Sequence, residues 1–188
     1  MKVLYIDTTT PDLVVAVVED NKITDLTAKA VGVHHSEMLC DKVSEALMKA
    51  NVKFAELSAY ACAIGPGSFT GIRIGVSTVK GYHTAVPLPV ISVNCLEAIA
   101  TSVNCKRRGS ATIDAGNGYY YADYEKGVAP CLISYDDERA RSAGSATSAV
   151  DYFDGAVEIV RQRYLNGQFD KALTPLYIRR SQAEENKK

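Results

Sequence analysis

The sequence predicts an α/β protein whose second half repeats part of its first, and three observations carry that reading. Segments with strand and helix patterns follow one another as β-β-β-α-β-α through the first half, the alternation expected of sheets layered with helices. The strand Leu4-Tyr5-Ile6-Asp7, ending in an acid at a turn, has a weaker echo in Ala111-Thr112-Ile113-Asp114. The chain has 188 residues, 47% of them hydrophobic, enough for one large domain or two small ones with a sizeable core.

Val3 to Ile6 is a short apolar strand that stops at Asp7, and the cluster Thr8 to Asp12 is a turn. Leu13 to Val18 returns as a second strand. After the turn signal Asp20-Asn21-Lys22, Ile23 towards Val31 alternates as a third, giving an antiparallel meander. A helix from Ser36 to Ala50 follows, with Ser36 as its N-cap and Leu39, Val43, Leu47 and Ala50 at helical spacing. Ala59 to Ile64 is a buried strand, and a glycine-rich turn leads into a helix from about Thr70 to Ala85. Val90 to Val93 is a strand and Leu96 to Ala100 a helix. In the second half, strands at 111–114 and Tyr119 to Tyr124 flank the turn 115–118, and Glu125-Lys126-Gly127 turns again. Two strand-Asp-turn-strand units indicate a duplicated lobe. The division falls between 1–103 and a shortened 104–188. Arg139 to Val150, rich in Ser, Ala and Gly, reads as a loop, and Asp151 to Leu165 as a helix using Val157, Val160 and Leu165. The polar tail from Gln182 to Lys188 reads as frayed.

Charge and cysteine usage exclude several functions. With 21 basic and 22 acidic residues the net charge is −1, without the basic face of an autonomous nucleic-acid binder. The basic groups Lys106-Arg107-Arg108, Arg161 with Arg163, and Arg179-Arg180 are scattered and read as solvated surface. Five cysteines (Cys40, Cys62, Cys95, Cys105, Cys131) without a C-x-x-C pair fit neither a disulfide framework nor a zinc site. Cys62, inside an apolar run, reads as a buried small hydrophobe. No segment has the length of a membrane span, and the reading is a soluble cytoplasmic protein.

The sharpest local feature is Gly65-Pro66-Gly67-Ser68-Phe69-Thr70-Gly71-Ile72-Arg73-Ile74-Gly75, between a strand and a helix. Amides at a helix start can cradle an anion, but no lysine follows Gly71 as in a P-loop and the G-x-G-x-x-G spacing is absent. The glycines then answer steric needs: Gly65 and Gly67 for a sharp turn, Ser68 or Thr70 for a cap, Gly71 and Gly75 for a slim helix that another helix can approach. On that reading Gly71→Leu or Gly75→Leu blocks pairing and leaves the monomer folded. His34, His35 and His83 form no metal pair at i, i+4, and Ser68 lacks the G-x-S-x-G elbow. Asp7 and Asp114 could face one another across a cleft and position a metal-bound phosphate, though Asp at a strand end is also a common turn former.

Ile6-Asp7-Thr8-Thr9, His35-Ser36-Glu37, the Gly65–Gly75 block, Ile113-Asp114-Ala115 and Pro175-Leu176-Tyr177-Ile178-Arg179 together resemble the TsaB (YeaZ) family of the glycoprotease-like superfamily. The resemblance implies an actin/hexokinase/Hsp70 (ribonuclease H-like) fold, two related lobes of mixed sheet flanked by helices, here with the second lobe reduced. It implies a non-catalytic subunit in the synthesis of tRNA N6-threonylcarbamoyladenosine, working with a TsaD-type transferase and a TsaE-type ATPase. Contact with tRNA would run through the complex, and the chain would form a homodimer when alone. No catalytic residue, metal or intrinsic cofactor is expected, with ATP or ADP only at an interface with partners; Asp7, Thr8 and Thr9 are the candidate nucleotide contacts. Where family members often carry Arg-Arg after Ile-Asp-Ala, this chain has Gly116-Asn117. For the partner or dimer face, the outward sides of the two first-lobe helices are expected to present Met38, Asp41, Lys42, Glu45, Ile72, Val76, Val79, Tyr82 and His83. The alternatives are a nucleotide-sensing regulatory module, or a small ATP-dependent or metallopeptidase-like enzyme of the same superfamily.

Overall fold

Five strands form the first sheet: β1 (Lys2–Asp7), β2 (Leu13–Glu19), β3 (Ile23–Ala28), β4 (Ala59–Gly65) and β5 (Val90–Asn94), in the order β3-β2-β1-β4-β5. The structure, a computed structural model, describes residues 1–31, 34–102 and 109–178. β1 to β3 are antiparallel, while β4 and β5 run parallel to β1. Central strands covered on both faces need apolar residues at every position. β2 meets this with Leu13 to Val18, none above 1% exposed, whereas the edge strand β3 alternates and buries Thr24 and Leu26.

The two faces of this sheet carry different helices. Leu4, Ile6, Val15 and Cys62 point to the side covered by α1 (His35–Ala50) and α2 (Phe69–Ala85). Tyr5, Val14, Ala61 and Ile91 point to the side of α3 (Cys95–Thr101) and α5 (Phe153–Leu165). Alternation along β1 therefore assigns each helix pair its own core.

A second sheet holds β6 (Ser110–Asp114), β7 (Tyr119–Asp123), β8 (Val128–Ile133) and the two-residue β9 (Gly144–Ser145), preceded by the short helix α4 (Glu138–Ser142). Its order β8-β7-β6-β9, an antiparallel meander with a parallel strand beside its first member, repeats β3-β2-β1-β4. The duplication suggested by the two Asp-ended strands is thus a duplication of topology.

Several details differ from the sequence reading. α1 begins at His35 behind His34, with no side-chain cap bond, so Ser36 lies inside the helix. β8 was not anticipated, because Pro130 and a burial pattern without strict alternation hide an edge strand. The expected loop at 139–150 contains most of α4 and all of β9, and it is anchored: Ala149 N donates to Thr10 Oγ1 (3.1 Å), and Ser148 Oγ donates to Asp12. Arg161 and Arg163 are half-buried and hold α5 to the first sheet, Arg161 through Glu19 O (3.1 Å), Arg163 through Ser92 O (2.6 Å) and Glu97 (2.8 Å). Leu165, expected in the helix's apolar stripe, is 75% exposed. After α5 the chain returns to the first sheet, where Asp170 N donates to Val90 O (2.9 Å) and Leu176 N to Ile64 O (2.8 Å). Cys105, Lys106-Arg107-Arg108, the division at 103/104, Arg179-Arg180 and the tail from Gln182 lie outside the described residues.

α5 approaches α3 closely because Gly155 has no side chain: a Cβ there would run into Ala98 O and lie 2.7 Å from Ser102 N. Backbone cannot yield as a flexible side chain would, so overpacking here costs about 2–3 kcal/mol. Gly155→Ala should lower the unfolding free energy by that amount, read as a lower urea midpoint at an unchanged m-value; an unchanged midpoint would mean that the α3–α5 contact can open at little cost.

Candidate functional site

β1 ends in a carboxylate that never reaches solvent. Asp7 is 0% exposed, and its Oδ1 accepts hydrogen bonds from Thr9 N (2.8 Å) and Thr9 Oγ1 (2.7 Å). Its Oδ2 accepts from Tyr5 OH (3.1 Å) and from Tyr152 OH (2.9 Å), the latter from the residue before α5. Thr9 Oγ1 also lies 3.4 Å from Cys95 Sγ and 3.1 Å from Tyr152 OH. Burial pushes the Asp7 carboxyl above the ordinary carboxylate range, against the bonds from Thr9, Tyr152 and Tyr5 that pull it down. Burial, with the Asp7 charge adding, raises the Cys95 thiol to about 12, so this cysteine is inert at neutral pH.

The glycine-rich block serves this turn. Ser68 N donates to Thr9 O (2.7 Å), Thr8 Oγ1 donates to Gly71 O (2.6 Å), and Ser68 Oγ caps α2 by accepting from Gly71 N (3.2 Å). Gly65 adopts φ +102°, which a side chain rarely tolerates, and its peptide to Pro66 is cis. A Cβ on Gly71 would penetrate the Thr8 carbonyl oxygen, and one on Gly75 would sit 2.6 Å from Thr8 Oγ1. The slim face of α2 is therefore pressed onto the chain's own Thr8-Thr9 turn, which corrects the reading that it awaits a partner helix. Arg73 points the other way: its guanidinium carbon lies 3.9 Å from the centre of the Phe69 ring, and its Nε donates to Tyr177 OH (3.1 Å). Arg73 thereby ties the C-terminal Pro175–Ile178 stretch to the glycine-rich block.

The expected partner face divides in two. Ile72, Val76 and Val79 are at most 3% exposed and belong to the core beneath α2, which corrects their assignment to the outward side. Their i, i+4, i+7 spacing is the spacing of a core-facing stripe, and each buried side chain contributes about 1.5–3 kcal/mol there. Asp41 and His83 are exposed, while Met38, Lys42, Glu45 and Tyr82 are half-buried. Lys42 pairs with Glu45 (2.6 Å), His83 Nδ1 lies 2.8 Å from Leu88 O, and Tyr82 meets Phe54 edge-on at 5.3 Å. The outward side of α2 is formed instead by Arg73, Ser77, Lys80, Gly81 and Thr84.

The candidate nucleotide contacts are closed to solvent in the isolated chain. Asp7, Thr8 and Thr9 are at most 2% exposed, with their side-chain oxygens bonded inside the chain. Asp114 is exposed and closes its own turn through Gly116 N (2.7 Å), with Tyr135 OH at 2.9 Å, so the two aspartates do not form a matched pair across a cleft. Reasoning from sequence missed Tyr152, whose role depends on a contact 145 residues distant, and the burial of His35.

Residues 23–137 match the family described as TsaD: tRNA N6-adenosine threonylcarbamoyltransferase. The chain belongs to that family. The tRNA threonylcarbamoyladenosine biosynthesis protein TsaB of Escherichia coli is 32% identical over 133 residues, 67% of this chain and 56% of that protein. An uncharacterized Mycobacterium tuberculosis protein is 35% identical over 99 residues, 52% of this chain and 47% of its own. The chain thus spans about half the length of these curated relatives. The fold is that of YeaZ from Pseudomonas aeruginosa: TM-score 0.74 at 21% identity, covering 94% of this chain and 100% of that one. In this chain the glycine-rich block is a packing device that seats α2 on the β1 turn.

Two outcomes follow. Gly71→Leu should prevent formation of the folded monomer, read as loss of the cooperative unfolding transition, because the clash is with backbone. For Asp7 the folded-state pKa lies above the unfolded one. Its contribution to stability is therefore fully present below the unfolded value and is lost as pH rises through the folded value. The stability of wild type minus that of Asp7→Asn, measured by urea denaturation from acid to neutral pH, should fall as pH rises; a rising difference would mean that hydrogen bonding outweighs burial.

Proposed function

We propose that this chain is a non-catalytic partner subunit in the biosynthesis of tRNA N6-threonylcarbamoyladenosine, binding and supporting a TsaD-type transferase. The observation that carries the reading is the two-sidedness of α2 in a chain of this family. Its inner face, with Gly71, Ile72, Gly75, Val76 and Val79, is taken up by the chain's own sheet; on its outer face Arg73 is engaged by Tyr177, while Ser77, Lys80, Gly81 and Thr84 further along are exposed. α1 beside it presents Cys40, Asp41, Ser44 and Met48, the last 76% exposed. A pair of helices with their inner faces buried and their outer faces open suits packing against a matching pair, on the transferase or on a second copy of this chain. In this reading the TsaE-type ATPase joins the assembled pair, tRNA is met through the complex, and any nucleotide is held where chains meet.

The experiment is co-purification with a TsaD-type protein from the same source, followed by threonylcarbamoyl transfer to tRNA with each chain alone and with both. Activity that requires both chains supports the reading; turnover by this chain alone, or no association, refutes it. Gly81 allows the surface itself to be probed, since a Cβ there meets nothing within 4 Å. Gly81→Arg should raise the stability of the isolated chain by about 1 kcal/mol through helix propensity and weaken association by about tenfold or more, the cost of one misfitting side chain at an interface core. Unchanged association would remove the outer face of α2 from the interface.

A further inference from the structure

After α5 the chain returns to the first sheet beside the C-terminal part of α2, pinned on both sides of Lys171. Asp170 pairs with Val90 and accepts a hydrogen bond from Ser92 N (2.6 Å) on its Oδ2, and Leu173 is 2% exposed in the core beneath α2. Between these anchors Lys171 and Ala172 are exposed. With Lys80 and His83 of α2 they line a recess of about 90 Å³ whose remaining lining is the apolar pair Val90 and Leu173.

Three features point to what the recess takes. Its charge is not neutralised within the molecule. Among the described residues no carboxylate forms an ion pair with Lys80 or Lys171, and Asp170, the acid next to Lys171, is bonded to the β5 backbone instead. Helix chemistry accounts for only part of the set. Lys80 and His83 lie near the C-terminal end of α2, where the helix dipole favours cations, and His83 Nδ1 donates to Leu88 O (2.8 Å). Lys171 is not on the helix; the two anchors place it beside α2. The last feature is position. Lys80 lies next to Gly81 on the outer face of α2, so the recess adjoins the surface assigned above to a partner.

A protein carboxylate suits this recess better than a nucleic-acid phosphate. Binding along a phosphate backbone calls for a basic stripe or excess, and the chain has 21 basic against 22 acidic residues. The outer side of the neighbouring α1 also carries the exposed acids Glu37 and Asp41, which would repel such a backbone.

We propose that the recess is a socket for an acidic side chain of the partner that packs on α2, its carboxylate held by Lys80 and Lys171 and its stem against Val90 and Leu173. This rests on the partner reading above and adds the chemistry of one contact. A partner lying over the site excludes water, and the bond then counts for more than an exposed ion pair does.

Association with a TsaD-type protein from the same source is measured at several salt concentrations for wild type, Lys171→Ala, Lys171→Glu and Lys171→Arg. Lys171 is exposed and outside α2, so the variants should keep the wild-type melting temperature. Lys171→Glu should weaken association by about tenfold or more through like-charge repulsion. Lys171→Arg should retain it, and Lys171→Ala should flatten its salt dependence. Unchanged association of Lys171→Glu overturns the socket, and weakening by Gly81→Arg in the same assay would leave the partner surface standing. Loss of tRNA binding to the assembled pair, at unchanged pairing, would assign the recess to phosphate and also overturn the proposal. No association of wild type would refute the partner reading and the socket together.

Discussion

A buried carboxylate shared by donors from distant parts of the chain holds this molecule in register. Asp7 sits at the end of the central strand β1, yet one of its partners, Tyr152, enters from the segment that precedes α5. Truncating such a carboxylate would leave the hydroxyls of Tyr5 and Tyr152 and the Thr9 amide without acceptors, each loss costing about 1–3 kcal/mol. The arrangement therefore stabilises less by what the carboxylate contributes than by what its absence would leave unsatisfied. Because the partners come from both halves of the chain, the network couples the docking of α5 to the shape of the β1 turn.

That turn in turn positions α2. Thr8 presents a carbonyl and a hydroxyl to a helix that can approach only where it has no side chains, at Gly71 and Gly75. Two positions further round the helix, Arg73 leaves the interior, stacks on Phe69 and binds Tyr177. The same eleven-residue block thus fixes three things: its own turn, the β1 turn and the return of the C-terminal stretch to the first sheet. A block so constrained sterically can be shared across a family without being an active site. Its glycines are held in place by backbone contacts rather than by a ligand.

The first lobe was largely legible in the sequence because each element has a local cause. β1, β2 and β4 are apolar runs of strand length, α1 and α2 have helical periodicity, and Ser68 is an N-cap before a glycine that donates to it. The second lobe was legible at its Asp-ended strand, at the strand that follows the 115–118 turn and at the helix that became α5, but not at its edges. β8 carries a proline and incomplete alternation, while β9 has two residues and exists only by pairing with β6. The candidate surface failed for another reason: periodicity identifies a stripe but not the side it faces. Ile72, Val76 and Val79 formed the inward stripe, and the polar residues between them marked the outside. The roles of Tyr152 and His35 were invisible because a residue's partner, or its lack of one, is a tertiary fact.

Two kinds of polar group meet at the start of α2, and the contrast between them is informative. On one side of the β1 turn every side-chain oxygen of Asp7, Thr8 and Thr9 is matched within the chain, in a space closed to water. On the other side, across Thr10 and Pro11, lies an open recess, and the His35 ring that borders it is buried with its Nε2 unpaired. A fold that satisfies a carboxylate with four donors a few residues away has the means to satisfy a histidine, for instance with an acid in the first turn of α2. It has none there. The unpaired nitrogen is a local cost of about 1–3 kcal/mol that this end of the fold carries beside a network whose side-chain oxygens are all matched.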